Sequence, residues 1–120
     1  QLRVIRCGEG DFRSTQEALA KDILENGIPD AVLGGNDQMG IAALKLVTSR
    51  GLKVPGDVIV TGFNAFEFWQ YTEPVLTTVR SPAYEIGARA GDAILGRLRG
   101  GHFTSKEILL PVELQRGASV

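Results

Sequence analysis

The sequence predicts an α/β fold of parallel βαβ units, and three observations predict it. Short apolar runs, Ala31-Val32-Leu33 and Val58-Ile59-Val60, alternate with longer stretches whose apolar residues recur at helical spacing. Each run breaks off into glycine and polar residues, Gly34-Gly35-Asn36-Asp37 after the first and Thr61-Gly62-Phe63-Asn64 after the second. One helix-length crossover separates the runs, which suits a parallel pair joined by a right-handed connection. Polar side chains just past two neighbouring strand ends occupy the edge where open parallel sheets bind ligands.

The elements follow in order. Leu2-Arg3-Val4-Ile5-Arg6 reads as a short strand, and Gly8-Glu9-Gly10-Asp11-Phe12 as a loop. Ser14 with Glu17 forms a capping box that starts a helix. Ala18, Leu19, Ile23 and Leu24 make its inward face, and Asn26-Gly27 ends it. After the strand at 31–33, a second helix starts at Asn36 or Asp37. Met39, Ala42, Ala43, Leu46 and Val47 form its buried face, and Gly51 supplies a left-handed C-cap. Pro55-Gly56-Asp57 turns the chain into the strand at 58–60.

Beyond Asn64 the pattern changes. Residues 65–73 hold Phe66, Phe68, Trp69 and Tyr71, half of the chain's eight aromatic residues, in a short irregular helix closed by Pro74. Leu76–Val79 is a brief strand or hinge. Ser81-Pro82 caps a helix running to about Arg99, with Ile86, Ala90, Ile94 and Leu98 at helical spacing and Gly100-Gly101 as its stop. Gly87 and Gly91, one turn apart, are expected to permit a close helix approach. Ile108–Leu114 is the last strand, whose Pro111 fits an edge or a crossing point.

Bulk properties narrow the function. The 120 residues carry 43% hydrophobic and 22% charged residues, an ordinary globular composition. A net charge of −1 leaves no electrostatic footprint for nucleic acid, so any action on DNA needs a separate module. The single cysteine, Cys7, excludes an internal disulfide and favours a reducing, cytosolic compartment. No apolar run is long enough to span a membrane. The chain opens at Gln1 without methionine, so a longer protein is expected.

Catalytic constellations are scarce. His102 is the only histidine and stands beside Gly100-Gly101, where a solvated loop side chain is expected. Cys7 has no evident activating partner, and no metal ligand set can be assembled. An enzyme is therefore disfavoured, and no cofactor is expected. Asn36-Asp37 supports two compatible readings, a helix cap or a donor–acceptor pair for a ligand hydroxyl. Asn64 is a turn residue or a second ligand contact. Phe12 is a satellite core residue or a platform on which a sugar or base stacks. The Phe66–Tyr71 cluster is too crowded for one pocket and reads as core or subunit interface.

Taken in order, these residues resemble the effector-binding domain of the lac-repressor (LacI/GalR) family of transcriptional regulators. The resemblance rests on Gly10-Asp11-Phe12, on Pro29-Asp30-Ala31-Val32 and on Asn36–Leu44, followed by Gly51–Val58 and Thr61–Asn64. It continues through Pro74–Val79 and ends in Leu110-Pro111-Val112-Glu113-Leu114 with Arg116 and Ser119. It implies a periplasmic-binding-protein-like fold, present in part and mainly as the C-terminal lobe. Residues 1–76 form that lobe, incomplete at its start. Residues 77–107 hold the hinge, at Thr77 and Thr78, and a helix crossing to the N-terminal lobe. Residues 108–120 hold the returning strand and tail.

The resemblance further implies Phe12, Asn36 and Asn64 as the ligand-binding wall, and Ile41, Phe68, Trp69 and Tyr71 as a dimer interface. It implies a small sugar or sugar acid as effector, and operator DNA as a partner only through an upstream helix-turn-helix. A cytoplasmic homodimer with no membrane association is expected. A periplasmic sugar-binding protein of a transporter is the alternative. Asn64 departs from the family pattern, which usually has aspartate there. An amide tolerates an anionic ligand better than a carboxylate, so the departure points to an acidic effector, in line with a loose likeness to gluconate-type regulators.

Overall fold

The computed structural model describes residues 2–8, 11–66, 68–103 and 105–120. Glu9 and Gly10 of the expected first loop, and Glu67 of the aromatic segment, lie outside that set. The chain divides into two units, residues 2–80 with 114–120, and residues 81–113.

In the first unit Asp11, rather than Ser14, starts helix α1 (Phe12–Asn26). The Asp11 carboxylate accepts the Ser14 N–H at 2.7 Å, and its carbonyl accepts the Thr15 N–H and hydroxyl. An ionised side chain is the stronger acceptor at a positive helix end, so the aspartate displaces the serine as cap. Phe12 thereby moves from the expected loop to the first helical residue. Leu19 is buried while Leu24 is exposed, contrary to the expected inward face, which ends at Ile23.

Strand β1 (Ala31–Leu33) and strand β2 (Ile59–Thr61) pair in parallel, with Val32 opposite Val60. The second strand begins one residue later than expected. Helix α2 (Asp37–Ser49) crosses between them, with Asn36 as N-cap. Its C-terminus closes with Gly51 at φ +80, where the Gly51 N–H reaches Thr48 O and the Leu52 N–H reaches Val47 O. That 5→2 and 6→1 pairing is a Schellman closure, which favours glycine because an L side chain strains there.

Ala42, Ala43, Leu44 and Val47 of α2 pack with Leu19, Val58, Val60 and Leu76 as the core. Leu44, absent from the expected buried face, is among its largest fully buried side chains, whereas Met39 and Leu46 are only half-buried. Each buried leucine contributes roughly 2–3 kcal/mol of transfer free energy.

Residues 2–6 form no strand, contrary to expectation. A strand needs a ladder partner, and none pairs with them among the described residues. Side chains fix the segment instead: Arg3 lies 3.0 Å from Asp22 and donates to Gly27 O at 3.4 Å.

The outer edge of β2 is continued by pieces from two places in the chain. Val60 N–H donates to Ser119 O, Gly62 N–H to Thr77 O, and Asn64 N–H to Val79 O. Strand β3 (Thr78–Arg80) follows, and pairs with strand β4 (Glu113–Gln115). Ser119 is fully buried, donating to Val60 O at 2.6 Å and accepting the Thr77 N–H at 2.8 Å. The expected strand over 108–114 contracts to β4, where a ladder partner exists.

The second unit holds helix α3 (Ala83–Gly100) and the segment that follows it. Pro82 is its N-cap and no side chain caps it, so the expected Ser81 cap does not form. Gly101, at φ +77, closes the helix with its N–H on Arg97 O, as Gly100-Gly101 led one to expect. Ile86, Ile94 and Leu98 share a face, yet each is at least half exposed or close to it. A Cβ on Gly87 or Gly91 would meet nothing within 4 Å, so the expected close approach is not made.

Candidate functional site

Both polar strand ends converge at the start of α2. Gly34 N–H donates to Thr61 O at 2.9 Å, and Asp37 N–H to Phe63 O at 3.0 Å, so the turn after β1 lies against the turn after β2. Such closeness leaves no room for side chains. A Cβ on Gly34 would lie 2.5 Å from Gly40 N, and one on Gly40 would lie 2.8 Å from Thr61 O. The paired glycines and the helix start therefore build the edge together.

Asn36 is the helix cap: its Oδ1 accepts the Met39 N–H at 2.8 Å. Its neighbour Asp37 turns inward and is buried, with Oδ1 accepting the Thr78 hydroxyl at 2.5 Å and Oδ2 the Phe66 N–H at 2.6 Å. The cap role thus falls to Asn36, and the aspartate serves the interior. Nothing in the residue order alone separates those two roles.

Asn64 adopts φ +96, and Ala65 follows at φ +53. Non-glycine residues seldom enter that region, asparagine more readily than alanine, and each costs about 1 kcal/mol or more. Hydrogen bonding holds the strained turn, since Asn64 N–H donates to Val79 O at 2.7 Å.

Phe12 lies under Lys45, whose Nζ stands 5.7 Å from the ring centroid. The same ring lines a cavity of about 560 Å³ with Asp37, Gln38, Ile41, Phe66 and Phe68. Phe12 stands far from the aromatic segment in sequence, and the fold brings them together. The available signal was the spacing of Gln38, Ile41 and Lys45 on one face of α2. Trp69–Tyr71 is a single 3₁₀ turn. Trp69 packs on the core, while Phe66, Phe68 and Tyr71 are exposed.

Thr77 and Thr78, the expected hinge, are both buried. The Thr77 hydroxyl accepts the Gly117 N–H at 3.0 Å. His102 is exposed, with Nδ1 2.8 Å from Gly100 O. Among the described residues no group of three His, Cys, Asp or Glu could hold a metal ion, and no helix is long and apolar enough to cross a membrane.

Comparison with known proteins gives this edge its setting. Residues 2–120 match the periplasmic binding protein-like domain family. The lactose operon repressor of Rhizobium radiobacter is 38% identical over 106 residues, which cover 88% of this chain and 89% of that protein. The chain belongs to the periplasmic-binding-protein-like domains of LacI-type repressors. The family repressor CytR of Escherichia coli is 38% identical over 110 residues, 92% of this chain but 32% of CytR.

Solved LacI-type structures agree with it. The lac repressor bound to ONPG superposes with a TM-score of 0.85 at 28% identity, covering 94% of this chain and 34% of the repressor. A complex of the regulator CelR with cellobiose gives 0.84 at 26% identity, over 94% of this chain and 35% of CelR. The chain thus spans about a third of the length of CytR and of these structures.

Proposed function

We propose that this chain is the effector-binding part of a ligand-responsive, DNA-binding transcriptional regulator that senses a small sugar or sugar acid. The observation that carries the reading is the strand-end edge, where Asn36 caps α2 and the strained Asn64 follows β2. Parallel α/β sheets bind ligands at that edge. A relative named as a lactose operon repressor, and a transcriptional regulator solved with cellobiose, support the same reading. Phe12 stacks against the ligand, and Asn36 and Asn64 hydrogen-bond its hydroxyl or carboxylate groups. Operator contact belongs to a helix-turn-helix outside these residues, in a cytoplasmic protein without enzymatic activity.

Asn64 sets the ligand class. Its amide can donate to a carboxylate, which an aspartate at that position would repel. Isothermal titration of the full-length protein is expected to give D-gluconate about tenfold tighter binding than D-glucose, as one charge-assisted hydrogen bond allows. Tighter binding of the neutral sugar would refute the acidic effector.

Dimerisation falls to Ile41 and the exposed aromatic segment, Phe68 and Tyr71 with Trp69 beside them. Exposed aromatic clusters of this kind anchor interfaces. Sedimentation of Trp69→Ala and Tyr71→Ala is expected to show dimers weakened at least about tenfold. A dimer indifferent to both changes would move the interface elsewhere. A transporter's periplasmic sugar-binding protein is the second reading, and a signal peptide upstream in place of a helix-turn-helix would decide for it.

A further inference from the structure

Asp37 is 2% exposed, and no binding role above uses its carboxyl group. Capping does not explain it, because Asn36 already caps α2. Its hydrogen bonds run instead to separate segments: the main-chain N–H to Phe63 O, Oδ2 to the Phe66 N–H and Oδ1 to the Thr78 hydroxyl. The seat is tight on the remaining side, where a Cβ on Gly62 would come 2.5 Å from Asp37 Oδ1. A carboxyl group with both oxygens engaged and bare backbone against it has little room to reorient.

Asn36 cannot move without Asp37. Its Oδ1 holds the Met39 N–H and its carbonyl holds the Gly40 N–H at 3.0 Å, so it travels with the first turn of α2. Asn64 is tied to the same strand by another route, through its N–H on Val79 O. Strand β3 therefore receives both candidate ligand residues, Asn64 directly and Asn36 through Asp37.

We propose that Asp37 is a positioning residue that couples the Asn36 end of α2 to the hinge at Thr78 and to the aromatic segment at Phe66. A ligand that draws on Asn36 shifts the first turn of α2, and Asp37 passes the shift to β3 and to the segment assigned to dimerisation. Thr78 and Phe66 hold opposite oxygens of one carboxylate. They respond together because one carboxylate holds both. The proposal rests on the effector reading for what moves Asn36, while the coupling itself is measurable without ligand.

Hydrogen-exchange mass spectrometry on the full-length protein tests it, with amides of α1 as internal reference against any global loss of stability. Thr78→Val keeps the shape of the side chain and removes only the hydroxyl donor. It is expected to speed exchange of the Phe66 amide about tenfold relative to α1, because the carboxylate that holds that amide loses its other anchor. Thr78→Ser restores the donor and is expected to stay within about twofold of wild type. Asp37→Asn offers a neutral, weaker acceptor and is expected to speed exchange at Phe66 and across Thr78–Arg80 together. A Phe66 amide unmoved by Thr78→Val, or an Asp37→Asn effect confined to one of the two segments, overturns the coupling. Absence of sugar or aldonate binding would overturn the effector reading and leave these ratios standing.

Discussion

Gly117→Ala is expected to destabilise the protein by about 3 kcal/mol, more than most single methyl additions. A Cβ at that position would stand 2.2 Å from Val75 O and 2.7 Å from Leu76 O, and both are main-chain atoms. Flexible side chains can retreat from a new methyl group; these carbonyls cannot, because Ala118 N–H already binds Val75 O at 2.7 Å. Displacing the tail also removes Ser119 from between Val60 and Thr77, where it satisfies a donor and an acceptor. Urea denaturation monitored through Trp69, the only tryptophan, reads the loss directly. A midpoint shift worth less than about 0.5 kcal/mol would mean that the tail can settle elsewhere at little cost.

Asp37→Ala is expected to cost about 3 kcal/mol, for a different reason. The change leaves the Phe66 N–H and the buried Thr78 hydroxyl without their acceptor, and each buried donor left unsatisfied costs about 1–3 kcal/mol. Alanine also opens a void beside Gly62. Asp37→Asn keeps the shape and one acceptor oxygen, and the Thr78 hydroxyl can turn to accept from the new amide, so about half the loss is expected. The same urea titration separates the two variants. Equal stability of Asp37→Ala and wild type would show that the carboxylate holds nothing together.

Much of the fold was legible because its signals are local. Strand β1 and the start of α2 were located from an apolar run, two glycines and an Asn-Asp pair, all of which act within a few residues. The Gly51 and Gly101 closures were likewise visible, since left-handed helix ends favour glycine. Boundaries failed where a neighbour in sequence was not the partner in space. Residues 2–6 have strand-like composition and no ladder partner, whereas residues 113–115 gain strand form from β3. At α1 two caps competed, and the ionised Asp11 prevailed over Ser14.

The candidate site was legible in its strand ends and illegible in its connections. Asn36 and Asn64 stand at the edge that the pattern of runs predicted. Nothing local distinguishes the buried Asp37 from the capping Asn36, because their separation depends on Thr78 and Phe66, 41 and 29 residues away. The cavity that joins Phe12 to Phe66 and Phe68 is equally non-local. Resemblance to a family supplied the order of these pieces, and the fold supplied the hydrogen bonds between them.

Whether this strand-end edge is one wall of an effector site is decided by a crystal structure of the full-length protein grown with D-gluconate. The aldonate is expected against the Phe12 ring, hydrogen-bonded to Asn36 and Asn64. Gluconate seated only elsewhere, or a saturating concentration that leaves this edge empty, would contradict it.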